Sequence, residues 1–180
     1  MSSSPTPRLT LVLGGARSGK SRYAEGLVAA HAAPWLYIAT AEGLDEEMRQ
    51  RIAEHRARRG AEWETLDVAL ELPEAIARRD SRHGVVMIDC LTLWLSNVML
   101  AGRDPAAERA RLLQALRGAD KAIVAVSNEV GLGLVPDNAL GRRFRDEQGR
   151  LNAEVAALAD HVVFMAAGLP MVLKGAAAPI

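Results

Sequence analysis

The sequence predicts an α/β fold, a mostly parallel sheet with helices on both faces. Three observations carry this. Short apolar runs end in glycine, aspartate or serine, as strands buried on both faces of a parallel sheet do. Longer segments of helical character separate them, so strands and helices alternate in the way that crossover connections require. There is no internal repeat and no linker, and 180 residues suit one domain with a sizeable core.

The elements follow in order. Residues 1–8 read as a disordered polar tail, and residues 9–174 as the single domain. LTLVL (Leu9–Leu13) is a buried strand that runs into glycines, and Ser21 to about Ala32 is an Ala-rich helix. WLYIAT (Trp35–Thr40) is a second strand. The helix DEEMRQRIAEHRARR opens with acids and closes with arginines, matching the helix dipole at both ends. A short helix covers Leu70–Arg79. VVMID (Val85–Asp89) and AIVAVS (Ala122–Ser127) are buried strands separated by helices near Leu91–Ala101 and Pro105–Arg117. A long helix runs from about Asn138 to Asp160. HVVFMAA (His161–Ala167) is the last core strand, PMVLK (Pro170–Lys174) an antiparallel edge strand, and residues 175–180 a C-terminal tail.

Composition excludes several function classes. Lys+Arg and Asp+Glu balance at 22 each, so no basic field advertises nucleic acid. Two Phe, two Tyr and three Trp make a poor base-stacking platform. The single cysteine, Cys90, leaves no internal disulfide framework and fits a reducing compartment; lying in an apolar run, it reads as a buried small hydrophobe. MSSSPTPR lacks the design of a signal peptide. The stretch Gly84–Ala101 is apolar, but Asp89 and Asn97 within it favour strand-then-helix over a membrane span. The expectation is a cytoplasmic protein.

The chemistry begins at GGARSGKS, Gly14–Ser21, which fits G-x-x-x-x-G-K-[ST]. In such a loop glycines let backbone N–H groups curl around phosphate oxygens, the lysine reaches the terminal phosphates, and the Ser21 hydroxyl ligates Mg²⁺. The motif follows a strand and opens a helix whose positive end faces the same anions. Asp89 ends an apolar strand where a second carboxylate for the metal belongs; the other role open to it is capping the next helix. A GTPase switch would show a guanine-reading N-K-x-D and a D-x-x-G, whereas this chain has SNEV (Ser127–Val130) and DCLT (Asp89–Thr92). A phosphotransferase or nucleotidyltransferase for small molecules fits this length best.

One histidine then stands out. Met48, Ile52 and His55 fall at i, i+4 and i+7 and share a helix face, which aligns His55 with a buried stripe. Arg51, Arg56, Arg58 and Arg59 surround that end. Guanidinium groups hold oxyanions bidentately, and nearby positive charge keeps an imidazole neutral and nucleophilic. Such a ring facing a triphosphate can attack phosphorus; a half-buried structural histidine is the other reading. His31, His83 and His161 lie near element ends and read as structural or exposed. SNEVGLGLVPDN (Ser127–Asn138) is placed where ligand-facing loops occur, past the carboxyl end of a parallel strand. FRDEQGRLNAEVA (Phe144–Ala156) begins basic and turns amphipathic.

Taken together, GGARSGKSR, YIAT, RIxxHRxxR, the Trp-x-Thr-x-acid at Trp63–Asp67, DCLTLWLSN, SNEVGLGLVP and FRDxxGRLN resemble the bifunctional adenosylcobinamide kinase / adenosylcobinamide-phosphate guanylyltransferase family of cobalamin assembly. The likeness runs from about Leu9 to Lys174. It implies a P-loop NTPase of RecA-like topology, assembled as a trimer. It implies phosphorylation of adenosylcobinamide with ATP or GTP, then transfer of GMP from GTP, through a guanylylated histidine, to adenosylcobinamide phosphate. The family's histidine matches His55. Its nucleotide contacts match Gly14, Gly15, Ala16, Arg17, Ser18, Gly19, Lys20 and Ser21; Ala39, Thr40 and Ala41; Arg56, Ala57, Arg58 and Arg59; and Asp67 and Asp89. Family members commonly carry glutamate where this chain has the shorter Asp67. Two alternatives stay open: a P-loop kinase without a covalent intermediate, and a nucleotide-binding switch, which the missing switch motifs disfavour.

Overall fold

The structure, a computed structural model, describes residues 7–43, 46–57, 59–78 and 82–175, with the backbone but not the side chains of Glu47, Met48, Arg51, Glu54 and His55. Thirteen elements follow one another: β1 (Leu9–Gly14), α1 (Lys20–Ala29), β2 (Trp35–Ala39), α2 (Glu46–Ala57), β3 (Trp63–Asp67), α3 (Leu72–Ala77), β4 (Val85–Asp89), α4 (Leu91–Leu100), α5 (Pro105–Gly118), β5 (Ala122–Asn128), α6 (Ala139–Leu158), β6 (His161–Ala166) and β7 (Leu169–Lys174). The seven strands form one sheet in the order β3-β2-β4-β5-β1-β6-β7. All neighbours are parallel except β6 and β7, so the expected antiparallel C-terminal edge strand is present.

Apolar side chains on alternate residues of the central strands face opposite ways, and each set has its own cover. Leu9, Leu11, Leu13, Ile88 and Ile123 pack under α3–α6 with the fully buried Trp94, Leu112 and Leu151. Val12, Tyr37, Met87, Val124, Val126 and Val163 pack under α1 through Ala24 and Val28. Helix starts are specified locally. Asp104 accepts from the Ala106 N–H ahead of α5, with Pro105 at its first position, and Asn138 accepts from the Gly141 N–H to start α6.

One feature differs from the sequence reading: WETLD, given no element there, is a strand that pairs in parallel with β2 over Trp35–Ala39. As an edge strand it is largely exposed, so it lacks the continuous apolar run that marks its neighbours. Of the stripe expected on α2, Met48, Ile52 and His55, only Ile52 has a described side chain, and it is half-buried; the side chains of Met48 and His55 lie outside the described residues.

Candidate active site

Six of the strands point their carboxyl ends the same way, and the predicted residues collect at that edge. β1 lies inside the sheet, flanked by β5 and β6, with Gly14 in register with Asn128 and Met165. The backbone turns sharply there. Gly14 has φ 151°, and a Cβ would sit 2.6 Å from the Met165 carbonyl oxygen. Gly19, with φ 91°, is the residue before α1. Both need glycine for conformation, and Gly14 for space as well. The first N–H groups of α1 have no acceptor within the helix, and its first turn carries no acid. That end is therefore left positive for an anion.

Lys20 opens α1 and is only 7% exposed. Its Nζ donates to the Gly15 carbonyl at 2.5 Å and to Ser18 Oγ at 3.4 Å, which points the ammonium into the loop. Burial pushes its pKa down, opposed by the nearby Cys90 and Asp89. Ser21, the next residue, is half-buried, as are Gly15 and Ser18, while Ala16 and Arg17 are exposed on the turn.

Asp89 closes β4, with β5 standing between it and β1. Two strand spacings are about 10 Å, a span a nucleotide's phosphates and metal can bridge. Its carboxylate does not cap α4: Cys90 is the residue before that helix, and no side chain caps it. Instead Asp89 Oδ2 accepts a hydrogen bond from the Tyr37 hydroxyl at 3.0 Å. Ala39 is in register with Asp89, so Tyr37, two residues earlier, is Asp89's diagonal neighbour on the same face of the sheet. Burial and then the Asp89 charge push the Tyr37 phenol far above the usual tyrosine range, so it remains a donor.

The third group comes from α2. Arg59, just past its end, sets its guanidinium carbon 3.7 Å from the centre of the Tyr37 ring. Arg59 Nη1 is buried with no hydrogen-bond partner, the state of a donor shaped for an anion. Arg56 meets Asp67 instead, Nη2 lying 2.7 and 2.5 Å from the two carboxylate oxygens, at an exposed site. Two predicted nucleotide residues are thus paired with each other. Ala57 is exposed at the end of α2; Arg58 and the His55 side chain lie outside the described residues.

Thr40 is fully buried, and its hydroxyl is committed to Cys90: it donates to the carbonyl at 2.7 Å and accepts from the N–H at 2.8 Å. Asn97 Nδ2 donates to the Thr40 and Ala69 carbonyls. The strand end is therefore braced throughout: the Thr40 N–H donates to the Asp89 carbonyl and the Ala39 carbonyl accepts from the Val68 N–H, so neither the hydroxyl nor the main chain of Thr40 is left for a ligand. A comparable brace holds β5. Ser127 Oγ donates to Asn152 Oδ1 at 2.7 Å, Gln148 Nε2 donates to both, and Thr92 Oγ1 accepts from the Asn128 N–H. The Glu129 N–H then donates to the Gly14 carbonyl at 3.0 Å, tying the following loop to the phosphate turn. Sequence reasoning missed Tyr37, Asn97, Gln148 and Asn152. The one available signal was polar side chains at positions where the helical or strand pattern calls for apolar ones.

A metal can be accommodated. The Ser21 hydroxyl and Asp89 carboxylate are hard oxygen donors of the kind Mg²⁺ takes. Among the described residues no group of three or more His, Cys, Asp or Glu is placed to hold an ion alone. Such an ion would complete its shell with phosphate and water oxygens.

A glycine turn at a strand end, a buried lysine opening the next helix and a carboxylate two strands away define a P-loop nucleotide-binding protein. The particular family follows from the sequence: a family model described as cobinamide kinase / cobinamide phosphate guanyltransferase matches residues 10–173, and the chain belongs to that family. It is thus a transferase. It is 49% identical over 168 residues to the bifunctional adenosylcobalamin biosynthesis protein CobP of Pseudomonas aeruginosa, covering 92% of this chain and 96% of that one. It is 39% identical over 181 residues to the protein CobU of Salmonella typhimurium, of the same description, covering 92% and 99%. Among solved structures, a prototypical ATPase from the type III secretion system of pathogenic bacteria superimposes with TM-score 0.56 at 14% identity, over 92% of this chain and 56% of that one. That likeness concerns the fold, and agrees with the RecA-like P-loop class.

Proposed function

We propose that this protein performs two successive transfers onto one corrinoid acceptor. In the first, the aminopropanol hydroxyl of adenosylcobinamide attacks the γ-phosphorus of ATP or GTP. The new O–P bond forms as the bond to the bridging oxygen breaks, the hydroxyl proton passes to solvent, and nucleoside diphosphate leaves. In the second, a ring nitrogen of His55 attacks the α-phosphorus of GTP, pyrophosphate leaves, and a phosphoramidate holds GMP. A phosphate oxygen of adenosylcobinamide phosphate then attacks that phosphorus, the P–N bond breaks, and adenosylcobinamide-GDP is released with His55 restored.

Lys20 and the loop amides hold the phosphates, and Arg59 offers a buried, unpaired donor to the same anion. Mg²⁺, held by Ser21 and Asp89, would supply charge neutralisation during both transfers. One observation carries the reading. Arg59 follows His55 by four residues and lies over Tyr37, which is bonded to Asp89. The His55 segment is thereby tied to the edge of the sheet that carries the phosphate cradle. We include residues 9–174 as one functional domain, a cytoplasmic location and a homotrimer. No helix among the described residues is long and apolar enough to cross a membrane. Exposed Leu132, Leu134, Leu169 and Leu173 support burial against other copies.

Intact-protein mass spectrometry after incubation with GTP and Mg²⁺ tests the proposal. A GMP adduct is expected on the wild type, labile in acid and stable in base, and none on His55→Ala. An adduct that persists in His55→Ala, or a wild type that turns over without one, would remove His55 from the covalent step.

A further inference from the structure

We infer that Tyr37 is a positioning residue for both transfers, its hydroxyl orienting Asp89 and its ring face seating Arg59. The inference rests on the roles proposed above for those two residues. Tyr37 lies in an apolar layer with Val12, Met87, Val124 and Val126, where phenylalanine would fill the same space. The hydroxyl is the only chemical difference, and it is spent on Asp89 Oδ2 at 3.0 Å. A hydrogen bond to one carboxylate oxygen fixes the rotation of the group and so the direction in which the other oxygen faces. Outer partners of this kind tune the metal affinity of a carboxylate.

The ring does separate work. Arg59 stacks on one side of it at 3.7 Å. Trp63 meets Tyr37 edge-on, ring centres 6.0 Å apart, and Trp35 in turn meets Trp63 at 5.1 Å. This aromatic group spans β2 and β3 beneath the guanidinium. It substitutes for the carboxylate partner that an arginine usually finds, and it leaves the donors of Arg59 available. One side chain thus touches the carboxylate proposed for the metal and the guanidinium proposed for the nucleotide.

Two substitutions separate the two contacts. Tyr37→Phe keeps the ring and removes the hydroxyl. Binding of Mn²⁺, followed by electron paramagnetic resonance with a non-hydrolysable GTP analogue present, should weaken roughly tenfold. Metal-free binding of the analogue should not change. Both transfer rates should fall at low metal concentration and recover as metal is raised. Tyr37→Leu removes both contacts and should also weaken metal-free binding of the analogue, severalfold. If that variant does not fold, Tyr37→Met serves in its place. Asp89→Asn and Arg59→Ala run alongside. If Asp89→Asn weakens Mn²⁺ binding and Tyr37→Phe does not, Tyr37 has no orienting role. If Arg59→Ala weakens metal-free binding and neither Tyr37→Leu nor Tyr37→Met does, the ring does not seat Arg59. If Asp89→Asn or Arg59→Ala is itself without effect, the proposed role of that residue fails and takes the corresponding half of this inference with it.

Discussion

The phosphate cradle and the arginine-rich helix α2, proposed to serve one site, are attached to the protein in opposite ways. The cradle is main chain at the end of a strand with neighbours on both sides, and its lysine is buried. α2 has no buried residue among its described side chains. Its end is held by contacts of two guanidinium groups, Arg59 on the Tyr37 ring and Arg56 on Asp67. The contrast follows the chemistry. Holding phosphates is common to both transfers, and a scaffold of backbone amides supplies it without rearrangement. The segment that carries the proposed nucleophile is fastened by the same guanidinium groups that are proposed as its nucleotide ligands, so on that proposal its attachment and its ligand binding draw on the same groups.

If that division is right, the cradle should be sensitive and α2 tolerant. The largest effect belongs to Lys20→Ala. Both transfer rates should fall by about 10²–10³, as when one preorganised donor to a developing anion is lost. Stability should not fall with them. Burial lowers the Lys20 pKa from its ordinary 10.5, so the folded protein resists protonation more than the unfolded chain. That opposes folding below the lowered pKa and fades as pH rises toward 10.5. The variant should therefore melt at or above the wild type near neutral pH, with the gain shrinking at alkaline pH. A lower melting temperature at pH 7 would mean that the Gly15 contact stabilises more than burial of the ammonium costs.

The next largest effect compares two glycines. Gly14→Ala forces a side chain into a left-handed conformation 2.6 Å from the Met165 carbonyl, and should cost about 2–4 kcal/mol in urea unfolding. Gly43, on the approach to α2, would bring its Cβ within 2.9 Å of Arg49 Cγ. Arg49 can turn this atom away only by rotating its exposed side chain and giving up its bonds to Glu46 and the Gly43 carbonyl, so Gly43→Ala should cost about 1 kcal/mol, still less than Gly14→Ala. Equal costs would erase the distinction between the two regions.

The same division governed what was legible in the sequence. The cradle was readable because its requirements are local: an apolar strand, two glycines forced by backbone geometry, and a lysine and serine at fixed spacing. Asp89 was readable for a similar reason, as the one acid ending a buried run. Edge strand β3 was not, because WETLD is half-solvated and has no apolar run to betray it. The braces were only partly legible. Asn97, Gln148 and Asn152 interrupt apolar helix faces, which marks them without naming the Thr40 and Ser127 groups that they meet in the fold. Nor does spacing in the chain reveal that Tyr37, 52 residues before Asp89, is its partner.

The smallest effect on the fold should come from Arg56→Ala. Arg56 and Asp67 are both well exposed, and an ion pair in that setting contributes about 0–1 kcal/mol, a shift of no more than about 4 °C in melting temperature. Its effect on function should be larger than its effect on stability. If Arg56 exchanges Asp67 for nucleotide phosphate, the variant should raise the GTP concentration needed for half-maximal guanylylation while leaving the limiting rate near that of the wild type. Asp67→Asn should move it the other way, because it frees Arg56 without removing it. If the two substitutions instead raise that concentration together, the pair acts as a unit that shapes the end of α2, and Arg56 is an anchor rather than a ligand.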